Sequence, residues 1–107
     1  MQRRLEFRGK TGALYAYRPL EGEPLLRAAA ANFVIASPAE QGWRVWFAGE
    51  TDNLARGAWR APLEKAQKKD AAAICVVRLN VTRSQRTAEL QDLLDEHAPP
   101  LNGRAGK

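Results

Sequence analysis

The sequence predicts an α+β fold: a small antiparallel or mixed β-sheet flanked by helices, with an N-terminal β-hairpin added to it. Three observations carry this expectation. Residues alternate in short stretches around Leu5 and Val45 with the period of strands. The run from Ala73 to Leu79 is almost wholly apolar and β-branched at Ile74, Val76 and Val77, as in a central buried strand. Leu90, Leu93, Leu94 and His97 recur at helical spacing instead. Strands and helices in this mixture pack as helices on a sheet.

Taken in order, Leu5 and Phe7 alternate with Arg4, Glu6 and Arg8, a half-buried strand. Gly9-Lys10-Thr11-Gly12 is a hairpin turn, and Leu14 to Tyr17 returns as a second strand stopped by Pro19. Residues 20–27 read as a loop, and the alanines of 27–31 suit a helical turn. Phe33-Val34-Ile35 is strand-like and ends at Ser37-Pro38. Gln41-Gly42 turns the chain into a strand in which Trp43, Val45 and Phe47 face one side and Arg44, Trp46 and Ala48 the other. Gly49 ends that strand. Thr51 and Asp52 then cap a short helix starting at Asn53. That corner, with Arg56 close by, suits an anion such as a phosphate.

Arg60-Ala61-Pro62 breaks the chain, and Pro62 opens a second helix to Lys69. Leu63 and Ala66 mark its apolar side, and Lys65, Lys68 and Lys69 its far side and C-terminal end. After the central strand, Thr82 and Gln85 have capping-box spacing for a last helix, which Pro99-Pro100 stops. The expected order is β-β-β-β-α-α-β-α. Residues 1–102 form one domain, with 1–18 as the hairpin extension, 30–102 as the core and 103–107 as a frayed tail.

The chain has 107 residues, 45% of them hydrophobic, enough for a modest core. Seventeen basic and 12 acidic side chains give a net charge of +5, which fits a nucleic-acid partner. Cys75 is the single cysteine, which excludes an intrachain disulfide and a multi-cysteine metal site. It reads as a small core residue. No stretch approaches the roughly 20 apolar residues of a membrane span, so no membrane partner is expected. The first residues lack the apolar segment of a secretory signal, and a cytoplasmic location is the expectation.

Two stretches carry a resemblance. Trp46-Phe47-Ala48-Gly49-Glu50-Thr51-Asp52-Asn53-Leu54 looks like a signature strand-turn followed by its helix. Thr87-Ala88-Glu89-Leu90, ending in Pro99-Pro100-Leu101-Asn102, looks like a matching C-terminal signature. In this order, over roughly residues 30 to 102, the chain resembles the GIY-YIG nuclease domain, with Ala31-Asn32-Phe33 standing for the first signature. The resemblance implies phosphodiester cleavage assisted by one divalent metal, Mg²⁺ or Mn²⁺. Tyrosines near the attacking water move a proton, an arginine offsets developing charge, a glutamate holds the metal and an asparagine closes the motif.

Carried over by position, the first tyrosine falls on Phe33 and the second on Phe47, neither of which has a hydroxyl. The arginine falls on Gly57. Arg56 is adjacent, but one residue along a helix turns a side chain by about 100°. A histidine often found before the second helix falls on Arg60. Glu89, the one candidate metal ligand, and Asn102 are retained.

The expectation is therefore a catalytically degenerate nuclease-like domain that keeps a nucleic-acid-binding role and takes no cofactor. DNA is favoured over RNA as the partner. Its candidate contacts are Arg44, Arg56, Arg60, Lys65, Lys68 and Lys69, joined across the sheet by Arg78, Arg83 and Arg86, with Trp46 and Trp59 as stacking platforms if exposed. Two alternatives stand beside it. One is a protein-interaction domain using the free edge of the first hairpin, as a homodimer or with another protein. The other is a residual metal-dependent nuclease in which Tyr15 or Tyr17 replaces the lost phenols and Arg56 or Arg60 the lost guanidinium.

Overall fold

Two sequence-adjacent hairpins are joined into one sheet by the apolar strand that follows them, and each face of that sheet is covered. The structure, a computed structural model, describes residues 4–20, 28–40 and 42–102. The strands are β1 (Leu5–Arg8), β2 (Leu14–Pro19), β3 (Ala31–Ala39), β4 (Gly42–Thr51) and β5 (Ile74–Leu79). The helices are α1 (Arg60–Lys69) and α2 (Arg83–His97), with short 3-10 turns at Leu54–Arg56 and Pro100–Asn102. The sheet order is β1-β2-β5-β3-β4 and every pairing is antiparallel. The apolar run that reads as a central strand thus occupies the middle of the sheet. The first hairpin is built into that sheet through the pairing of β2 with β5.

Strand alternation sorts the core into two clusters. Leu5, Phe7, Tyr17, Val34, Ala36, Val45, Ala48 and Val76 pack with Leu93 of α2, flanked by Leu90 and Leu94. Ala31, Phe33, Ile35, Trp46 and Cys75 pack on the other face with Trp59, with Leu54 of the first 3-10 turn and with Ala66 of α1. β3 serves both clusters and is buried at every residue from Ala31 to Ser37. Burial pushes the Cys75 thiol up to about 12, so it stays a neutral core residue.

Several elements differ from the sequence expectation, each for a local reason. β3 begins at Ala31 and runs through Pro38 to Ala39, so no helical turn precedes it at Ala28–Ala30. The loop expected over 20–27, the Gln41 half of the turn and the tail at 103–107 fall largely or wholly outside the described residues. β4 does not stop at Gly49 but continues to Thr51. It also carries a bulge. Ile35 pairs with Phe47 and Ala36 with Val45, so Trp46 is an extra residue. The bulge breaks the simple alternation: Val45 and Trp43 pack on the α2 side, whereas Trp46 and Phe47 pack on the α1 side.

The helix expected from Asn53 is a single 3-10 turn. Asn53 caps it through Ala55 N–H, and Gly57 ends it with φ at 78°, in the left-handed region. α1 starts at Arg60, so Pro62 sits in its first turn rather than opening it. Thr82 is the residue before α2, but its side chain makes no capping hydrogen bond, so the capping-box reading does not hold. α2 ends at Ala98, which has φ of 43°, ahead of Pro99 and Pro100. No described helix is long and apolar enough to cross a membrane.

Gly49 has a packing reason. It lies opposite Phe33 across the ladder, and the Phe33 and Phe47 rings stack over it with centroids 5.8 Å apart. A Cβ at this position would fall 2.8 Å from Phe33 Cζ and 2.9 Å from Phe47 Cε2. Gly49→Ala is therefore expected to lower stability by about 1–3 kcal/mol through overpacking. Urea denaturation measures this. Adding Phe47→Leu should recover part of the loss, because the two sites touch and their effects are coupled.

Candidate nucleic-acid interface

The basic residues singled out in the sequence divide between the two faces, and the two groups have different fates. On the α1 side, Arg44 lies over the Trp46 ring at 4.1 Å and Arg60 over the Trp59 ring at 4.5 Å. Both indoles are buried in the core cluster of that face. Their N–H groups are satisfied, Trp46 Nε1 donating to Ser37 Oγ at 2.9 Å and Trp59 Nε1 to Leu54 O at 3.2 Å. They are not free platforms for bases. They hold two guanidiniums at the surface instead.

Lys65, Lys68 and Lys69 are exposed on α1, which buries Ala66. Positions 65 and 68 or 69 share one side of a helix. None of the three lysines has an ion-pair partner among the described residues. Arg56, on the 3-10 turn of the same layer, pairs with Asp52 at 3.2 Å, both exposed. Asp70, just past α1, is held below the usual carboxylate range by the Ala72 N–H, then by Ser37 and by the charge of Arg44. All six candidate contacts lie in the α1 layer.

The anion cradle expected at the β4-to-helix corner is not present. Asn53 N–H donates to Thr51 Oγ1, Ala55 N–H to Asn53 Oδ1 and Leu54 N–H to Ala29 O. Arg56 N–H and Gly57 N–H bond within the turn. The amides of residues 53 to 57 are thus used internally and do not point at a ligand.

On the α2 side the arginines are neutralised. Arg86 is 4% exposed; its Nε donates to Glu50 Oε1 at 2.8 Å, and its Nη1 to the carbonyls of Asn80 and Val81 at 3.0 Å each. Arg78 grips Glu89 through Nε–Oε1 at 2.9 Å and Nη2–Oε2 at 3.4 Å. Glu89 Oε1 also accepts from Asn80 Nδ2 at 3.1 Å. Asn80 Nδ2 donates to Asn32 Oδ1, and the fully buried Asn32 donates to Arg86 O. The result is one continuous polar seam tying α2 to β3, β4 and β5. Arg78 and Arg86 therefore do not join the α1-side residues. Arg83 is exposed at the start of α2.

The residues carried over by resemblance spread over three places. Phe33 and Phe47 stack on the α1 side, and Gly57 ends the 3-10 turn there. Glu89 is not an exposed helical glutamate but is half-buried in the seam, with both oxygens engaged. Asn102 sits at the outer edge of β4, where Ala48 N–H donates to its Oδ1 and its Nδ2 donates to Ala48 O. Among the described residues no three His, Cys, Asp or Glu side chains gather as metal ligands would.

Beside Glu89 the seam meets two tyrosines. Arg78 lies 5.7 Å from the Tyr15 ring centroid. Tyr17 is buried, its hydroxyl has no hydrogen-bond partner among the described residues, and burial and then Glu89 push its pKa up. Tyr15 donates to Asp92 Oδ2 at 2.7 Å, and this bond raises the phenol to about 12. Asp92 also accepts from the Thr11 N–H and hydroxyl, which, with Tyr15 first, hold it below the usual carboxylate range. The hairpin loop thus docks on α2, and it approaches so closely that a Cβ on Gly9 would lie 2.0 Å from Asp92 Oδ2.

Sequence reasoning missed Arg86, Asn32, Asn80, Glu50 and Asp92 as structural polar residues. One signal was available: Arg86 and Glu89 precede Leu90, Leu93 and His97 at the same helical spacing, so they share its buried stripe.

Two outcomes follow from the seam and the hairpin anchor. Arg86→Met should cost about 3 kcal/mol in urea denaturation, because it leaves Glu50 and two carbonyls without their donor. The Tyr15–Asp92 contact has pH limits on both sides. Asp92, lowered in the fold, contributes stability above its ordinary value near 4 that is lost as pH falls through its folded value. Tyr15, raised in the fold, contributes stability below about 10 that is lost as pH rises through about 12. A pH series of thermal melts should show both losses, and Tyr15→Phe should flatten the alkaline one.

Comparison with protein-family models, with curated proteins and with solved structures finds no match to this chain.

Proposed function

We propose that this chain is a catalytically degenerate GIY-YIG-like domain that binds nucleic acid, DNA ahead of RNA, through the α1 layer. The observation that carries the reading is the division of charge between the faces. Arg44, Arg56, Arg60, Lys65, Lys68 and Lys69 share the α1 layer, whereas Arg78 and Arg86 are consumed by Glu89 and Glu50. Unpaired lysines beside arginines held at the surface suit a row of phosphates, whose neutralisation releases condensed counterions.

The degenerate part of the reading is supported by chemistry at the signature positions. Phe33 and Phe47 have no proton to transfer. Position 57 takes a left-handed backbone that suits glycine and would strain an arginine. Both oxygens of Glu89 are held by Arg78 and Asn80, so a metal would have to displace an ion pair. The alternative of a protein-interaction domain has one favouring observation. Leu14, Leu79 and Val81 are exposed apolar side chains.

The test is fluorescence anisotropy with a short labelled DNA duplex at low and at physiological salt. Wild-type protein should bind in the micromolar range at low salt and weaken steeply as salt rises. Lys65→Ala/Lys68→Ala/Lys69→Ala should weaken binding regardless of sequence and reduce the salt slope by about one per lysine removed. Arg83→Ala, on the other helix, is the control and should leave both unchanged. Absence of binding by the wild type at low salt would overturn the reading.

A further inference from the structure

Leu14, Leu79 and Val81 are the exposed large apolar side chains among the described residues, at 56%, 55% and 87%. They are far apart in the chain and close in the sheet. β2 and β5 are neighbours, with Arg18 paired to Val77. Carried along both strands, that register sets Ala16 opposite Leu79 and Leu14 opposite Val81. On the other flank of β2, Glu6 of β1 pairs with Ala16 and Arg8 with Leu14. Alternate residues of a strand share one side of the sheet. Leu5, Phe7, Tyr15 and Tyr17 pack toward α2, so Glu6, Arg8, Leu14, Ala16 and Arg18 lie on the α1 side. Cys75 and Val77 pack with the α1-side cluster, which puts Leu79 on that side as well.

The cluster beneath α1 is built from β3, β4 and β5 as far as Val77, with Leu20 at its margin. Beyond Val77 the same side of the sheet carries an apolar strip with basic residues around it. Arg8 and Arg18 are exposed there, and Arg83, two residues past Val81, is exposed too. Among these residues Glu6 is the one acid, and it pairs with Arg4 at 3.5 Å.

We infer that this strip docks an acidic amphipathic helix of a partner protein. Three features select that occupant. The strip crosses three neighbouring strands, roughly 10 Å at the usual strand spacing, which is the width of one helix. The same side of the sheet already takes a helix, α1, on its other part. Its surround is basic, so carboxylates flanking the partner's apolar stripe meet Arg8 and Arg18. A contiguous apolar patch with a polar rim is the mark of an interaction surface. The strip uses none of the six residues assigned to nucleic acid, and the inference does not depend on that reading.

The probes are two synthetic helical peptides with the same leucine stripe, one flanked by glutamates and the other by lysines. Methyl NMR of the full chain reports on Leu14, Leu79 and Val81, and circular dichroism confirms that each variant is folded. The glutamate peptide should bind in the micromolar range, shift those methyl signals and exceed the lysine peptide by about tenfold in affinity. Leu79→Asp should abolish binding. Arg8→Glu/Arg18→Glu should reverse the preference between the peptides, and Arg8→Glu alone should narrow it should the double variant not fold. Lys65→Ala/Lys68→Ala/Lys69→Ala should leave peptide binding unchanged. No binding, equal affinity for the two peptides, or shifts confined to α1 would overturn the inference. So would a doubling of mass in light scattering that Leu79→Asp abolishes, which would give the strip to a second copy. Binding of phosphatidylserine vesicles in place of the glutamate peptide would overturn it in favour of a lipid surface.

Discussion

The arrangement of this protein depends on one buried guanidinium. Arg86 is almost fully removed from water, which costs several kcal/mol unless the charge and its donors are matched. They are matched by Glu50 from β4 and by the carbonyls of Asn80 and Val81 at the end of β5, while Asn32 of β3 holds the Arg86 backbone. Those partners come from the β3–β4 hairpin and from the residues that follow β5. Only one placement of α2 satisfies all of them, so Arg86 fixes the helix in position and in rotation. Once it is fixed, helical spacing sends Glu89 to Arg78, Asp92 to the hairpin loop and His97 to the β1 edge. Leucines 90, 93 and 94 fill the space between and supply the apolar burial.

That stripe explains what was and was not legible in the sequence. The strands were readable because their signal is local: alternation around Phe7, a hairpin turn at 9–12 leading into Leu14–Tyr17, and a continuous apolar run at Ile74–Val77. The existence of α1 and α2 was readable for the same reason. The polar seam was not, because the buried Asn32 of an apolar strand and Arg86 on a helix gain their meaning from partners 36 to 54 positions away, Glu50 for Arg86 and Asn80 and Arg86 for Asn32. The bulge at Trp46 was also hidden. Val45-Trp46-Phe47-Ala48 is apolar throughout, and nothing local says that β3 skips one partner there. The helix after Asn53 was overestimated because a good N-cap says where a helix starts and not how far it runs. Gly57 stops it after three residues.

The same contrast applies to the candidate site. The six α1-layer residues were picked for charge alone, and they share a layer because they lie within or beside one short helix, with Arg44 joined through Trp46. Arg78 and Arg86 have the same side-chain chemistry, yet they sit where carboxylates already face them. Charge in a sequence is therefore informative about a surface only when the acidic partners are nearby in the chain, as with Arg56 and Asp52. Glu50 and Glu89 lie 36 and 11 residues from the arginines they neutralise.

Tyr17 shows the cost of that design. Its ring is needed in the core, packing edge-to-face on Phe7 at 5.5 Å. Its hydroxyl nevertheless reaches the field of Glu89 and Arg78 without bonding to either. An unsatisfied buried hydroxyl is destabilising by roughly 1–3 kcal/mol, and a phenylalanine would fill nearly the same volume without it. The core clusters on both faces offset that cost through burial. The seam does not relieve it: Glu89 turns its oxygens to Arg78 and Asn80, and the Tyr17 hydroxyl bonds to neither of them. A polar network that specifies one helix position so tightly orients its acceptors for its own members and not for a neighbour that packing alone has placed beside it.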